Sequence, residues 1–261
     1  MKYYDIGVNL FCRQFSKPEK VLAEAQQAGV ACILTGSDMR ENEKVHHFVQ
    51  THDAWGTAGI HPHNADSARK EDFDRMEEIL AENYKILAVG ECGLDFDRMF
   101  SQRENQIRCL EKHIELAERM EKPMFLHERD ASKEFVSVFR QHPEICRHAV
   151  VHCFTGDRAT LETYLEMGFY IGITGWICDE RRADALRDAV SALPLERVML
   201  ETDAPYLAPR NVPGIGRVNF PQNIRYVAET LAEYMHVPEE ELIRHARENT
   251  ESFFGIPSGE K

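Results

Sequence analysis

What most constrains this chain is an alternation that repeats eight times. A short apolar or β-branched run is followed by a longer segment whose apolar residues recur at three- and four-residue spacing. The short runs fall at residues 4–9, 31–36, 56–60, 86–91, 123–127, 149–152, 170–174 and 198–203. Between them, Val21, Leu22, Ala25 and Ala28 before Gly29, then Phe73, Met76, Ile79 and Leu80, carry helical spacing. Residues 223–234 can supply the eighth outer helix and 239–253 an additional one. Strands that return parallel need a crossover long enough to hold a helix, so the pattern predicts a parallel sheet covered by helices. Eight repeats favour closure into a (β/α)8 TIM barrel, and 261 residues is an ordinary length for one. The rival open sheet normally carries a glycine-rich turn after its first strand, where this chain has Gly7 alone. No linker or shift of composition divides the sequence, and the prolines and glycines of 209–221 read as a loop after the eighth strand. One domain spanning residues 1–261 is expected.

Chemistry in such a barrel collects where strands end. Glu91, His127, His152 and Asp203 lie at the ends of four separate runs, each behind apolar residues. Burying several ionisable groups together is costly, and a divalent ion between them removes the cost. Imidazole and carboxylate together suit zinc, manganese or iron, whereas magnesium prefers oxygen. His61 and His63 flank Pro62 and project to one side, while Arg129, Arg217 and Asn219 lie in loops near the mouth, where arginine is suited to phosphate. Strand alternation turns Cys92 and Cys153 toward the outer helices as small fillers. His46, His47 and His52 read as solvated on an outer helix, Arg181-Arg182 as an exposed helix start, and Tyr3-Tyr4 as packing at the barrel bottom.

Composition narrows the partners. With 31 basic against 44 acidic residues, the net charge of −13 argues against a broad basic face for duplex DNA. It leaves room for an enzyme that meets a short stretch of strand at a metal, where the ion is the largest local charge. Seven dispersed cysteines with no C-x-x-C pair support neither a zinc ribbon nor a thioredoxin-like redox site and point to free thiols in a reducing compartment. No apolar run is long enough to span a bilayer, and Asp5 interrupts any signal-like start, so a cytoplasmic enzyme without membrane or obligate protein partner is expected.

The quartet Gly90-Glu91-Cys92-Gly93-Leu94-Asp95, Gly59-Ile60-His61-Pro62-His63, His152-Cys153-Phe154-Thr155-Gly156 and Glu201-Thr202-Asp203-Ala204-Pro205-Tyr206 resembles the signatures of the TatD family of metal-dependent deoxyribonucleases. The likeness runs from the first strand to Phe254-Gly255. It implies a barrel of the metal-dependent hydrolase type and a 3′–5′ exonuclease acting on single-stranded DNA and RNA, with Mg2+ as the usual ion. Carried over by position, Glu91, His127 and His152 become metal ligands and Asp203 the catalytic carboxylate beside them. His61, His63, Arg129, Arg217 and Asn219 become contacts to substrate phosphate. The sequence departs from the family at its start, where Asp-x-His-x-His becomes Asp5-Ile6-Gly7-Val8-Asn9, which speaks against a permanently filled pair of metals. Phe220 also stands where relatives commonly have an acidic residue. Two other functions fit the same residues: a deacylase or small-ester hydrolase, for example on aminoacyl-tRNA, and a noncatalytic nucleic-acid-binding protein.

Overall fold

The computed structural model describes residues 1–257. Eight strands are present: β1 (Tyr3–Val8), β2 (Val30–Leu34), β3 (Trp55–Ala58), β4 (Ile86–Asp95), β5 (Met124–Arg129), β6 (Ala149–His152), β7 (Tyr170–Ile173) and β8 (Val198–Leu200). They form one sheet in chain order, and a parallel bridge between Val8 and Ala204 links the end of β1 to the segment after β8. This is the (β/α)8 barrel that the alternation predicts. Six strands match their expected ends within two residues. β4 continues four residues past Glu91, and β8 stops three residues before Asp203, whose φ of 54° takes the chain out of extended geometry.

The described residues gather into two compact units, one drawn from 34–152 and 167–169, the other from 1–33, 153–166 and 170 onward. In the 34–152 unit, β3 to β6 pair in parallel. The helix Arg103–Met120 buries Cys109, Leu110, His113, Ile114, Leu116 and Ala117, and each large apolar side chain removed from water contributes roughly 1.5–3 kcal/mol. The helix Met39–Thr51 starts where the Asp38 carboxylate accepts the Glu41 N–H at 2.8 Å. His46 on that helix is buried, contrary to the solvated role expected of it. Its carbonyl accepts from Asn83 Nδ2 at 3.1 Å, its Nε2 meets Gln50 Nε2 at 3.2 Å, and burial lowers its pKa. His47 is exposed, as read from the sequence.

In the other unit, β7 pairs with β8 in parallel, and Tyr3 and Tyr4 of β1 are buried. The Tyr4 hydroxyl donates to Glu251 of the helix Glu239–Phe254 at 3.2 Å. Asp5 is fully buried, and its carboxylate accepts from the Thr202 amide at 2.8 Å and the Thr202 hydroxyl at 2.5 Å. Those two bonds fasten β1 to the residues that follow β8.

Candidate metal centre

β4 and β5 bring the principal side chains together, and two glycines allow it. Gly90 has φ 140° and Gly93 φ 147°. A Cβ on Gly90 would stand 2.1 Å from the Phe125 carbonyl oxygen, and one on Gly93 would stand 1.9 Å from that of His127. Only glycine permits that approach. In the resulting register Gly93 lies opposite His127, and His127 lies opposite His152 on β6.

Three imidazoles then converge on one oxygen. Glu91 Oε1 lies 2.9 Å from His152 Nε2, 3.2 Å from His127 Nδ1 and 3.2 Å from His61 Nε2. Burial pushes the Glu91 carboxyl up, but the His61 and His152 rings and bonds from His127 and His152 outweigh it and hold it well below the usual range. The ring of His152 is buried and stacks on Phe125 at 4.5 Å between centroids. Burial lowers His61 to about 4, so that ring is neutral at pH 7. At His127, burial works against the charged ring, but the Asp95 and Glu91 carboxylates outweigh it and raise its pKa, so the rings around Glu91 differ in charge.

The ligand atoms of His61, Glu91 and His127 lie within 4.8 Å of one another, close enough to hold a metal ion. The fit is best at Glu91 and His127. The Nε2 atom of His127 is buried without a hydrogen bond, 3.4 Å from Asp95 Oδ2, and carboxylate behind histidine is the usual support of a metal ligand. His61 fits less well. Its Nδ1 accepts the His63 N–H at 3.1 Å, so its own proton belongs on Nε2, which then faces Glu91 as a donor. A donor of that kind suits an anionic oxygen better than a cation.

Asp95 is the group that the sequence reading missed. It is buried in β4, two alternations beyond Glu91 on the same face. Its Oδ1 accepts the Arg98 amide at 2.8 Å, and its Oδ2 takes His63 Nε2 at 2.7 Å. Burial opposes ionisation there, but His127 and His63 overcome it and hold the carboxyl far below its ordinary value. The signal was present in the sequence, since a longer fourth strand would have placed Asp95 beside Glu91.

The remaining predicted residues fall in definite places. Arg129 ends β5 and is no loop residue. Its guanidinium meets Asp97 Oδ2 at 2.9 Å. In the other unit, Asn9 Nδ2 donates to Asp203 Oδ1 at 2.8 Å and so orients that carboxylate. Arg217 is exposed. Asn219 is fully buried: Nδ2 donates to the Thr202 carbonyl at 3.0 Å, and Oδ1 accepts from the Phe220 amide and Asn223 Nδ2, both at 2.9 Å. Cys92 is buried, with Cys109 of the outer helix nearby, as alternation requires. Cys153 has φ 48° and sits 3.6 Å from Thr174 Oγ1, so it does not turn to an outer helix as expected.

A barrel with histidines and carboxylates gathered at its strand ends is that of a metal-dependent hydrolase. A model of the TatD related DNase family matches residues 4–255, and the chain belongs to that family. It is thereby a hydrolytic, metal-dependent nuclease. Among curated relatives it is 39% identical over 259 residues to the 3′-5′ ssDNA/RNA exonuclease TatD of Pantoea ananatis, covering 97% of this chain and 99% of that protein. It is 43% identical over 213 residues to the protein so named in Erwinia tasmaniensis, covering 80% and 82%. Among solved structures, a TatD homologue from Escherichia coli K12 superimposes with a TM-score of 0.89 at 28% identity, covering 98% of this chain and 99% of that one.

Proposed function

We propose that the protein is a 3′–5′ exonuclease on single-stranded DNA and RNA, working with Mg2+ in the cytoplasm. The convergence of His127 and His152 on Glu91 Oε1, with His127 Nε2 buried without a hydrogen bond, carries this reading, because those groups suit a divalent ion. Strand type and direction of cutting rest on the named relatives. Seven free cysteines accord with a reducing compartment, and no described helix is long and apolar enough to cross a membrane.

Glu91, His127 and His152 would hold the ion, with Asp95 fixing the His127 ring. When bound, the ion polarises the phosphate and lowers the pKa of a water molecule. Asp203 accepts the proton of the attacking water, and its orientation comes from Asn9. His61, as an Nε2–H donor, and His63, Arg129 and Arg217 offset charge on the phosphoryl oxygens. Asn219 holds the loop that carries Arg217 and does not itself touch phosphate.

Digestion of end-labelled single-stranded DNA and RNA with magnesium, manganese or zinc tests the proposal, with Glu91→Ala in parallel. Stepwise shortening from the 3′ end, absent in the variant, is expected. Intact strands under every metal, together with turnover of an ester such as an aminoacyl-tRNA, would replace the nuclease by a deacylase on the same residues.

A further inference from the structure

A groove of about 590 Å3 lies between the segments that follow β7 and β8, and its lining includes Arg181, Arg182, Arg210 and Arg217 but no acidic side chain. Four arginines in one groove stand out in a chain of net charge −13. Like charges at such spacing repel, and the fold answers with one buried carboxylate. Asp179, whose side chain is 2% exposed, accepts from Arg181 Nε at 2.8 Å and Nη2 at 2.6 Å, and from Arg182 Nε at 3.0 Å. Arg210 Nε approaches the same carboxylate at 4.0 Å. The Arg182 guanidinium also lies 3.6 Å from the centre of the Trp176 ring, a cation–π contact. Glu180 is exposed and outside the lining.

One carboxylate thus orders two guanidinium groups and draws a third close, while the side chains of Arg181, Arg182 and Arg210 remain 57%, 44% and 55% exposed. Each guanidinium carries five N–H donors, so N–H groups remain for a ligand. Excess positive charge, pre-ordered forks and an open groove together describe an anion site. The segments after the seventh and eighth strands are also where barrels of this kind commonly bind phosphate.

We propose that this groove binds the phosphodiester backbone of a single-stranded nucleic acid, with Arg181, Arg182 and Arg210 joining Arg217 as phosphate contacts. The inference rests on the nuclease reading, and the test separates the two. Binding of a ten-nucleotide oligothymidylate with hydrolysis-resistant phosphorothioate linkages to the full chain in magnesium is followed by anisotropy across about 50–200 mM salt. Each phosphate contact contributes about 0.7 to the slope of log affinity against log salt for a single strand. Arg210→Gln should lower the slope by about that amount and weaken binding severalfold, while Arg210→Lys keeps the slope. Among the described residues Arg210 approaches Asp179 at 4.0 Å, farther than Arg181 or Arg182, so its loss leaves those two pairs in place. Arg181→Gln with Arg210→Gln should lower the slope by about 1.4. A slope unchanged in both variants would overturn the groove even if the parent cuts unmodified strand. A parent that binds strand through these arginines yet cuts none would sink the nuclease reading and leave the groove standing.

Discussion

At the scale of single residues, the site depends on what stands behind each ligand. Asp95 touches His63 at 2.7 Å and lies 3.4 Å from His127 Nε2, so it sets ring orientation without itself joining Glu91. Supports of this type affect metal affinity by about 10–100-fold when removed. Asp95→Asn should therefore weaken metal binding by that factor in calorimetric titration, and an unchanged affinity would remove it from the site. Asp203 makes a different prediction. If it takes the proton of the attacking water, Asp203→Asn should lower kcat by about 10²–10⁴-fold while binding of a hydrolysis-resistant strand persists. A variant digesting strands at the parent rate would exclude that role. Glu91, His127 and His152, which the fold brings together, are legible in the sequence because a polar residue ending an apolar run stands out. Asp95 is not, because the apolar run ends at Glu91 and only the longer β4 places Asp95 beside it.

At the scale of elements, the contact of β4 with β5 is the most exposed to error. Gly93→Ala puts a Cβ 1.9 Å from the His127 carbonyl oxygen at a φ of 147°. Strain of this sort costs about 1–3 kcal/mol, and here relief requires moving the strand that carries His127. The melting temperature of Gly93→Ala should fall and its metal affinity with it. A variant with both unchanged would show that β4 tolerates a side chain there. The tie from β1 to the residues after β8 makes a prediction about pH. Burial outweighs the Thr202 bonds and raises Asp5 from 3.8 to about 8. The folded chain therefore keeps this proton after the unfolded chain has lost it. The stability that results is fully present below pH 3.8 and is lost as pH rises to about 8. The loss amounts to at most about 1.4 kcal/mol per pH unit. Asp5→Asn, which stays neutral, should remove that part of the decline in urea midpoints measured between pH 5 and pH 8. Equal declines in variant and parent would place the effect elsewhere.

At the scale of the whole molecule, the chain passes between its two units four times, since one unit is drawn from three separate stretches and the other from two. No single cut separates them. The family match also runs unbroken from 4 to 255. We expect the chain to unfold as one domain, giving a single calorimetric transition with van't Hoff and calorimetric enthalpies in agreement. Two resolved transitions would divide it. The net charge of −13 means that a strand is not drawn by the protein as a whole. Attraction has to be local, at the metal and at the arginines after β7 and β8.

The sequence by itself determined the barrel and the strands whose ends carry chemistry. Hydrophobic period and strand count are local properties, and a parallel sheet turns them into a fold with few alternatives. Tertiary structure alone decided how those ends are used. A glycine's permitted approach, the four extra residues of β4 and the register of β5 on β6 depend on atoms far apart in the chain. For the same reason His46 was misread. An outer-helix position looks solvated until Asn83, 37 residues on, covers it. Asn219 likewise reads as a phosphate contact in a loop, and Arg181-Arg182 as an exposed helix start. Their parts appear only when the buried amide is seen holding a loop and the buried Asp179 gathering arginines. Period reports which face of an element is buried, but the partner that a buried polar group meets is set by the fold.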